Sequence, residues 1–237
     1  MVPEGAAFAE GRFGVVVVAA GEGRRMGTID KVFVPLLGEP LICHAVRPFE
    51  EHPAVGQIVL VVAETRLSDV RSLVKERRWR KVTSVCAGGR RRQDSVRMGL
   101  AKLTDCDWVI VHDGARPCVD RAIIDRGVEA VYRTGAAVAA VPVKDTVKVV
   151  TPDMTVDSTL RRDSLWAVQT PQVFQRQLLV EAHRRCKEEV TDDAAMVERM
   201  GHKVGVFMGS YENLKVTTPE DLVFAEAILR SRAEAAG

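Results

Sequence analysis

Four consecutive valines, Val15 to Val18, run directly into Ala19-Ala20-Gly21-Glu22-Gly23-Arg24-Arg25-Met26-Gly27. A β-branched run with no polar face must be covered on both sides if it is a strand, which is the situation of a central strand in a parallel sheet. The loop beyond it has the opposite chemistry. Gly21, Gly23 and Gly27 let backbone N–H groups approach an anion, and Arg24, Arg25 and Lys31 bring positive charge within a few residues of those amides. The combination reads as a buried strand opening into a phosphate site. Its spacing, Gly-x-Gly-x-x-x-Gly, is neither the dinucleotide fingerprint nor the P-loop. Taken alone, the loop reads equally as an ordinary strand-to-helix turn with exposed arginines.

The pattern then alternates. Gln57 to Ala63 reads as a strand, Arg66 to Arg78 as a helix, Lys81 to Cys86 as a strand, Gln93 to Leu103 as a helix, Trp108 to Val111 as a strand, Arg121 to Tyr132 as a helix and Ala136 to Val141 as a strand. Such alternation implies a doubly wound, mostly parallel α/β sheet with its ligand crevice at the carboxyl ends of the strands. From Lys144 to Trp166 short β-type runs surround Pro152-Asp153 without a helical period, which predicts a hairpin or arm leaving the sheet. Val168 to Pro171 reads as the chain turning back. Helices are expected over Gln175 to Glu188 and Asp192 to Met200, a strand over Lys203 to Phe207, and a closing helix over Pro219 to Arg232, with Thr218 as its cap.

Three further clusters carry chemistry. His112-Asp113-Gly114-Ala115-Arg116-Pro117 comes directly after a strand, so Asp113 is placed to meet a divalent cation and Arg116 to grip a phosphate; a fastened turn with a surface ion pair is the plainer reading of the same residues. Gly88-Gly89-Arg90-Arg91-Arg92-Gln93-Asp94-Ser95 repeats the logic of the first loop, with Ser95 able to bond a ribose or base or simply to start a helix. Lys215 precedes a helix N-terminus, a position that favours anions, and a solvated lysine fits there too.

At 237 residues with a formal net charge of +2, the chain can bury one sizeable core and has no basic excess of the nucleic-acid-binding kind. Its five cysteines include no Cys-x-x-Cys pair, which argues against a disulfide framework or a structural zinc site and for a reducing cytoplasm. No apolar run approaches the roughly 20 residues of a membrane span, and residues 1–12 read as a flexible lead-in rather than an export signal. The histidines show no metal-binding spacing, and there is no Gly-x-Ser-x-Gly elbow. A chemistry that needs cations and a metal but little acid–base work fits this inventory. Transfer of a nucleotidyl group onto a phosphate monoester, whose second pKa of about 6 leaves it anionic at neutral pH, is such a chemistry.

These blocks, together with Pro142-Val143-Lys144-Asp145-Thr146, Thr170-Pro171-Gln172, Thr191-Asp192 and Lys215-Val216-Thr217, resemble the 2-C-methyl-D-erythritol 4-phosphate cytidylyltransferases from about Val15 to Ala227. The resemblance implies a Rossmann-like nucleotidyltransferase fold over 13–237 as a single domain, with a protruding β-arm at about 144–166 that clasps a second subunit. It implies CTP and a sugar-alcohol phosphate as substrates, magnesium as cofactor, and pyrophosphate as the second product. Arg25 and Lys31 match residues that stabilise charge on the CTP phosphates, and Arg162 and Lys215 match residues that position the acceptor, assisted by Arg116, Thr146 and Thr191. Ala19, Ala20, Gly21, Gly23, Gly89 and Ser95 match the surroundings of the nucleotide, and Asp113 lies beside the metal, directly or through water. Arg90 stands where some relatives carry an acidic residue. Ribitol-5-phosphate cytidylyltransferase shares the nucleotide half, and a non-catalytic nucleotide-binding dimer is the alternative from another class.

Overall fold

The computed structural model of the protein describes residues 12–21 and 32–236. The phosphate-loop residues Gly23, Arg25 and Lys31, with Arg24 and Gly27, lie outside the described residues.

Strand β1 (Phe13–Ala19) carries the valine run. Val15 and Val17 pack into one apolar cluster and Val16 and Val18 into another on the opposite face, so the uninterrupted run is explained by double-sided burial. After a two-stranded turn, β2 (Pro35–Leu36) with β3 (Glu39–Pro40), helix α1 (Leu41–Glu51) leads to β4 (Val55–Val62). Helix α2 (Leu67–Glu76), β5 (Val82–Ala87), α3 (Arg92–Leu100), β6 (Trp108–Asp113), α4 (Arg121–Thr134) and β7 (Ala136–Pro142) come next in alternation. The hairpin β8 (Lys148–Val150) and β9 (Val156–Thr159) forms its own small sheet. The chain then re-enters the main sheet as β10 (Trp166–Gln175) and finishes with α5 (Arg176–Arg185), α6 (Asp193–Arg199), β11 (Gly205–Met208) and α7 (Pro219–Ala236).

The main sheet has the order β11-β7-β10-β6-β1-β4-β5. All pairings are parallel except those of β10, which runs antiparallel between β6 and β7. The expectation of a doubly wound, mostly parallel sheet holds. The expectation of a turn at Val168 to Pro171 does not: those residues lie within β10, where the ladder with β7 shifts register between Val168 and Gln172. The Thr-Pro-Gln sequence reads locally as a turn, and two flanking strands override it. Helix α1 has a weak sequence signal because Pro48 interrupts it; its buried face of Leu41, Ile42, Ala45, Val46 and Phe49 holds it in place.

The chain leaves β1 outward through β4 and β5 and returns to β6 on the other side of β1. That reversal opens a crevice at the carboxyl ends of β1 and β6, where ligands of open α/β sheets sit. The β8–β9 hairpin stands apart with every residue of both strands exposed, including Val150 and Val156. No helix among the described residues is long and apolar enough to cross a membrane.

Candidate active site

A cleft of about 690 Å³ occupies this crevice. It is lined by Ala19, Ala20 and Gly21 after β1, by Gly89 to Arg92 and Ser95 around the start of α3, by Asp113 at the end of β6, and by Lys215 to Thr217 ahead of α7. The β5–α3 loop is tight for a steric reason. A Cβ on Gly88 would stand 2.2 Å from the Ala20 Cβ and 2.7 Å from Ser95 Oγ, and one on Gly89 would stand 2.5 Å from the Asp94 Cβ. Glycine there lets the loop press against the residues just after β1. Gly89 N–H donates to Ser95 Oγ at 3.1 Å, and the Asp94 carboxylate binds the Arg91 guanidinium, which stitches the loop to the first turn of α3. The helix N-terminus therefore faces the cleft with its positive dipole end.

Asp113 is the electrostatic centre. Its Oδ1 accepts from Arg92 Nε at 3.0 Å, its Oδ2 accepts from Lys215 Nζ at 2.7 Å, and Arg116 Nε stands 3.9 Å from Oδ2. Burial raises the proton affinity of the Asp113 carboxyl, but Arg92, Lys215 and Arg116 outweigh burial and hold it well below the ordinary carboxylate range. Arg92 also donates through Nη1 to Asp193 Oδ2 at 2.6 Å. Burial works against the Arg92 charge, and the two carboxylates more than offset it, so its proton is held above the usual arginine value.

Behind Asp113 lies a neutral network. The Asp113 N–H donates to Thr170 Oγ1 at 3.0 Å, the Thr170 hydroxyl donates to His112 Nδ1 at 3.1 Å, and His112 Nε2–H donates to the Arg116 carbonyl at 3.2 Å. Burial pushes the His112 imidazole down to about 4, so it is uncharged at neutral pH, and these partners assign the proton to Nε2. Arg116 Nη1 donates to the Asn213 carbonyl at 2.7 Å, the fully buried Asn213 amide donates to the Thr170 carbonyl at 2.8 Å, and Val216 N–H donates to the Ala115 carbonyl at 2.8 Å. Together these bonds dock the Lys215 segment onto the end of β6.

The structure brings Ala19, Ala20, Gly21, Gly89, Ser95, Asp113 and Lys215 to one cleft, with Arg116 buried immediately behind it. Thr146 and Arg162 lie at the base of the hairpin, both exposed; Arg162 Nη1 donates to the Lys144 carbonyl at 2.7 Å. Thr191 is exposed just before α6, beside Asp192, whose side chain caps that helix through Ala195 N–H and accepts from Gln172 Nε2. None of these three residues lines the cleft of the same chain among the described residues. Asp193, His183 and Asn213 also build the site, although their sequence setting does not single them out, as do Thr170, from the Thr170-Pro171-Gln172 block, and Arg92, from the second glycine loop. Adjacent carboxylates at a helix start, Asp192-Asp193, are the available signal.

No group of three or more His, Cys, Asp or Glu converges into a metal cage among the described residues. Asp113 is the carboxylate among the described lining residues, ionised and with a single donor on each oxygen. One hard carboxylate fits magnesium that is held chiefly by a substrate's phosphates.

The family model of 2-C-methyl-D-erythritol 4-phosphate cytidylyltransferase matches residues 13–231. The chain belongs to that family. A 2-C-methyl-D-erythritol 4-phosphate cytidylyltransferase of Dehalococcoides mccartyi is 48% identical over 223 residues, covering 94% of this chain and 98% of the relative. The crystal structure of 4-diphosphocytidyl-2C-methyl-D-erythritol synthase from Anaerococcus prevotii superposes with a TM-score of 0.81 at 27% identity, covering 93% of this chain and 99% of that one. The crystal structure of the cytidylyltransferase from Thermus thermophilus superposes with a TM-score of 0.74 at 31% identity, covering 91% and 98%. The family is one of nucleotidyltransferases, and the α/β architecture of this chain is that of its solved members.

Proposed function

We propose that this protein transfers the cytidylyl group of CTP to 2-C-methyl-D-erythritol 4-phosphate, giving 4-diphosphocytidyl-2-C-methyl-D-erythritol and pyrophosphate for isoprenoid precursor synthesis. The observation that carries the reading is the joining of Lys215, Asp113 and Arg92 at the mouth of a cleft floored by a glycine loop and the N-terminus of α3, in a chain of this family. An oxygen of the acceptor's phosphate attacks the α-phosphorus of CTP, a phosphorus–oxygen bond forms, and the bond to the β-phosphate oxygen breaks to release pyrophosphate. The nucleophile is already anionic, so the protein's task is to hold two anions together and to stabilise charge as it develops.

In this reading Gly89 and Ser95 border the cytidine with Ala19, Ala20, Gly21 and Gly23, while Arg25 and Lys31 stabilise the triphosphate. Lys215 leaves Asp113 to engage the acceptor's phosphate, and Arg116 fixes the segment that carries it. Magnesium on the triphosphate, with Asp113 beside it, neutralises phosphate charge when bound. Arg162 and Thr146 approach the site from a partner copy through the arm, with Thr191 on the acceptor side. The exposed apolar face of the hairpin supports the homodimer. The free cysteines support a cytoplasmic setting, and the near-balanced charge supports small-molecule rather than nucleic-acid partners.

Phosphorus NMR of a mixture of protein, magnesium, CTP and methylerythritol 4-phosphate tests the reaction. The expected result is replacement of the triphosphate signals by those of pyrophosphate and a phosphodiester-linked diphosphate. An unchanged triphosphate spectrum would overturn it.

A further inference from the structure

Arg92 is shared between two carboxylates. Its Nε donates to Asp113 Oδ1 at 3.0 Å and its Nη1 to Asp193 Oδ2 at 2.6 Å. Asp193 is the more demanding partner: its side chain is 1% exposed, and its other oxygen faces His183 Nε2 at 3.3 Å without a hydrogen bond. A buried carboxylate so poorly served elsewhere draws strongly on the one guanidinium aligned with it. Asp113 is divided in the same way, between Arg92 on Oδ1 and the half-exposed Lys215 on Oδ2.

We infer that Arg92 is a positioning residue that sets how tightly Asp113 retains Lys215, and that Asp193 limits how much of the Arg92 charge reaches Asp113. The inference rests on the proposed role of Lys215 in holding the acceptor's phosphate. To do so Lys215 must release Asp113, and release is easier the more fully Arg92 satisfies that carboxylate. Removing the Arg92 charge leaves Asp113 to compensate through Lys215, so acceptor binding weakens. Neutralising Asp193 turns Arg92 wholly towards Asp113, so Lys215 is freed and acceptor binding tightens. The two substitutions therefore act in opposite directions, whereas a brace that only supports the fold would make both harmful.

The test is the acceptor KM of the full chain at saturating magnesium and CTP, for Arg92→Gln, Arg92→Lys, Asp193→Asn and Lys215→Ala, with folding checked by circular dichroism. Arg92→Gln should raise the acceptor KM about tenfold, Arg92→Lys should restore it to within about threefold of the parent, and Asp193→Asn should lower it about threefold. A rise with Asp193→Asn alongside Arg92→Gln would overturn the inference. If Asp193→Asn does not fold, the arginine pair decides: Arg92→Lys as impaired as Arg92→Gln means the charge is not what matters. Lys215→Ala separates the two layers. An unchanged acceptor KM in that variant overturns the role of Lys215 itself, while a raised value with same-sign effects at Arg92 and Asp193 overturns only the charge sharing.

Discussion

Lys215 Nζ donates to Asp113 Oδ2 at 2.7 Å, tying the segment ahead of the last helix to the end of the central strand β6. The pair sits at the mouth of the cleft, with Asp113 nearly buried and Lys215 half-exposed, so one member is fixed by the fold and the other can move.

Removing the fixed member is costly. Asp113→Asn leaves Arg92, Arg116 and Lys215 facing one another without their common counter-charge, and loss of one partner from a buried pair costs about 3 kcal/mol or more. Partial exposure of Arg92 and Lys215 lowers the expectation below that range, to about 2–3 kcal/mol. A lowered urea midpoint with activity reduced by at least about a hundredfold is the expected outcome, checked by denaturation curves and initial rates.

The glycine loop gives a steric prediction. Gly88→Ala puts a methyl within 2.2 Å of the Ala20 side chain, and neither backbone can retreat freely. Overpacking of this kind costs about 1–3 kcal/mol, and the same displacement moves Gly89 and Ser95 at the cleft wall. CTP affinity measured by calorimetry should fall about tenfold or more, because wall and ligand share the loop.

Acid stability depends on His112. Its folded value of about 4 lies below the ordinary 6.5, so the unfolded chain takes up a proton that the folded protein refuses. Stability from this residue is fully present above pH 6.5 and is lost as pH falls towards 4, up to about 3 kcal/mol. Below that the depressed Asp113 carboxyl continues the decline, since its stabilising contribution is lost as pH falls from the ordinary carboxylate range. Urea denaturation at pH 7 and pH 4.5 should show a smaller difference for His112→Asn than for the parent chain.

The exposed hairpin predicts an assembly. Val150→Asp combined with Val156→Asp charges a solvent-facing apolar surface that touches no part of the cleft. Sedimentation should report a monomer. In that monomer the acceptor KM should rise at least about tenfold while CTP binding stays within about threefold. Equal loss of both would contradict delivery of Arg162 and Thr146 by a partner.

The order of strands and helices and the place of the crevice are legible in the sequence because periodicity and glycine punctuation are local signals. The double-sided burial of Val15 to Val18 and the cleft-lining positions of Gly89, Asp113 and Lys215 come from them. What local signals do not carry is pairing at a distance. Strand β10 pairs antiparallel with both β6 and β7, although its Thr-Pro-Gln sequence reads as a turn. Arg92 reads as one of three arginines in a glycine loop, and its ion pair with a carboxylate 101 residues away appears only in the fold. Arg116 reads either as a phosphate ligand or as the ion-pair partner of Asp113, and only the fold shows its guanidinium buried and donating to the Asn213 carbonyl. A polar residue's role is set by what the fold places opposite it.

The most direct test of the central claim is pyrophosphate release by the purified protein with magnesium, across CTP, ATP, GTP and UTP and with methylerythritol 4-phosphate, ribitol 5-phosphate or no acceptor. Release with CTP and methylerythritol 4-phosphate together, abolished by a chelator, is the expected result. Release with ribitol 5-phosphate in preference, or CTP binding without release for any acceptor, would contradict it.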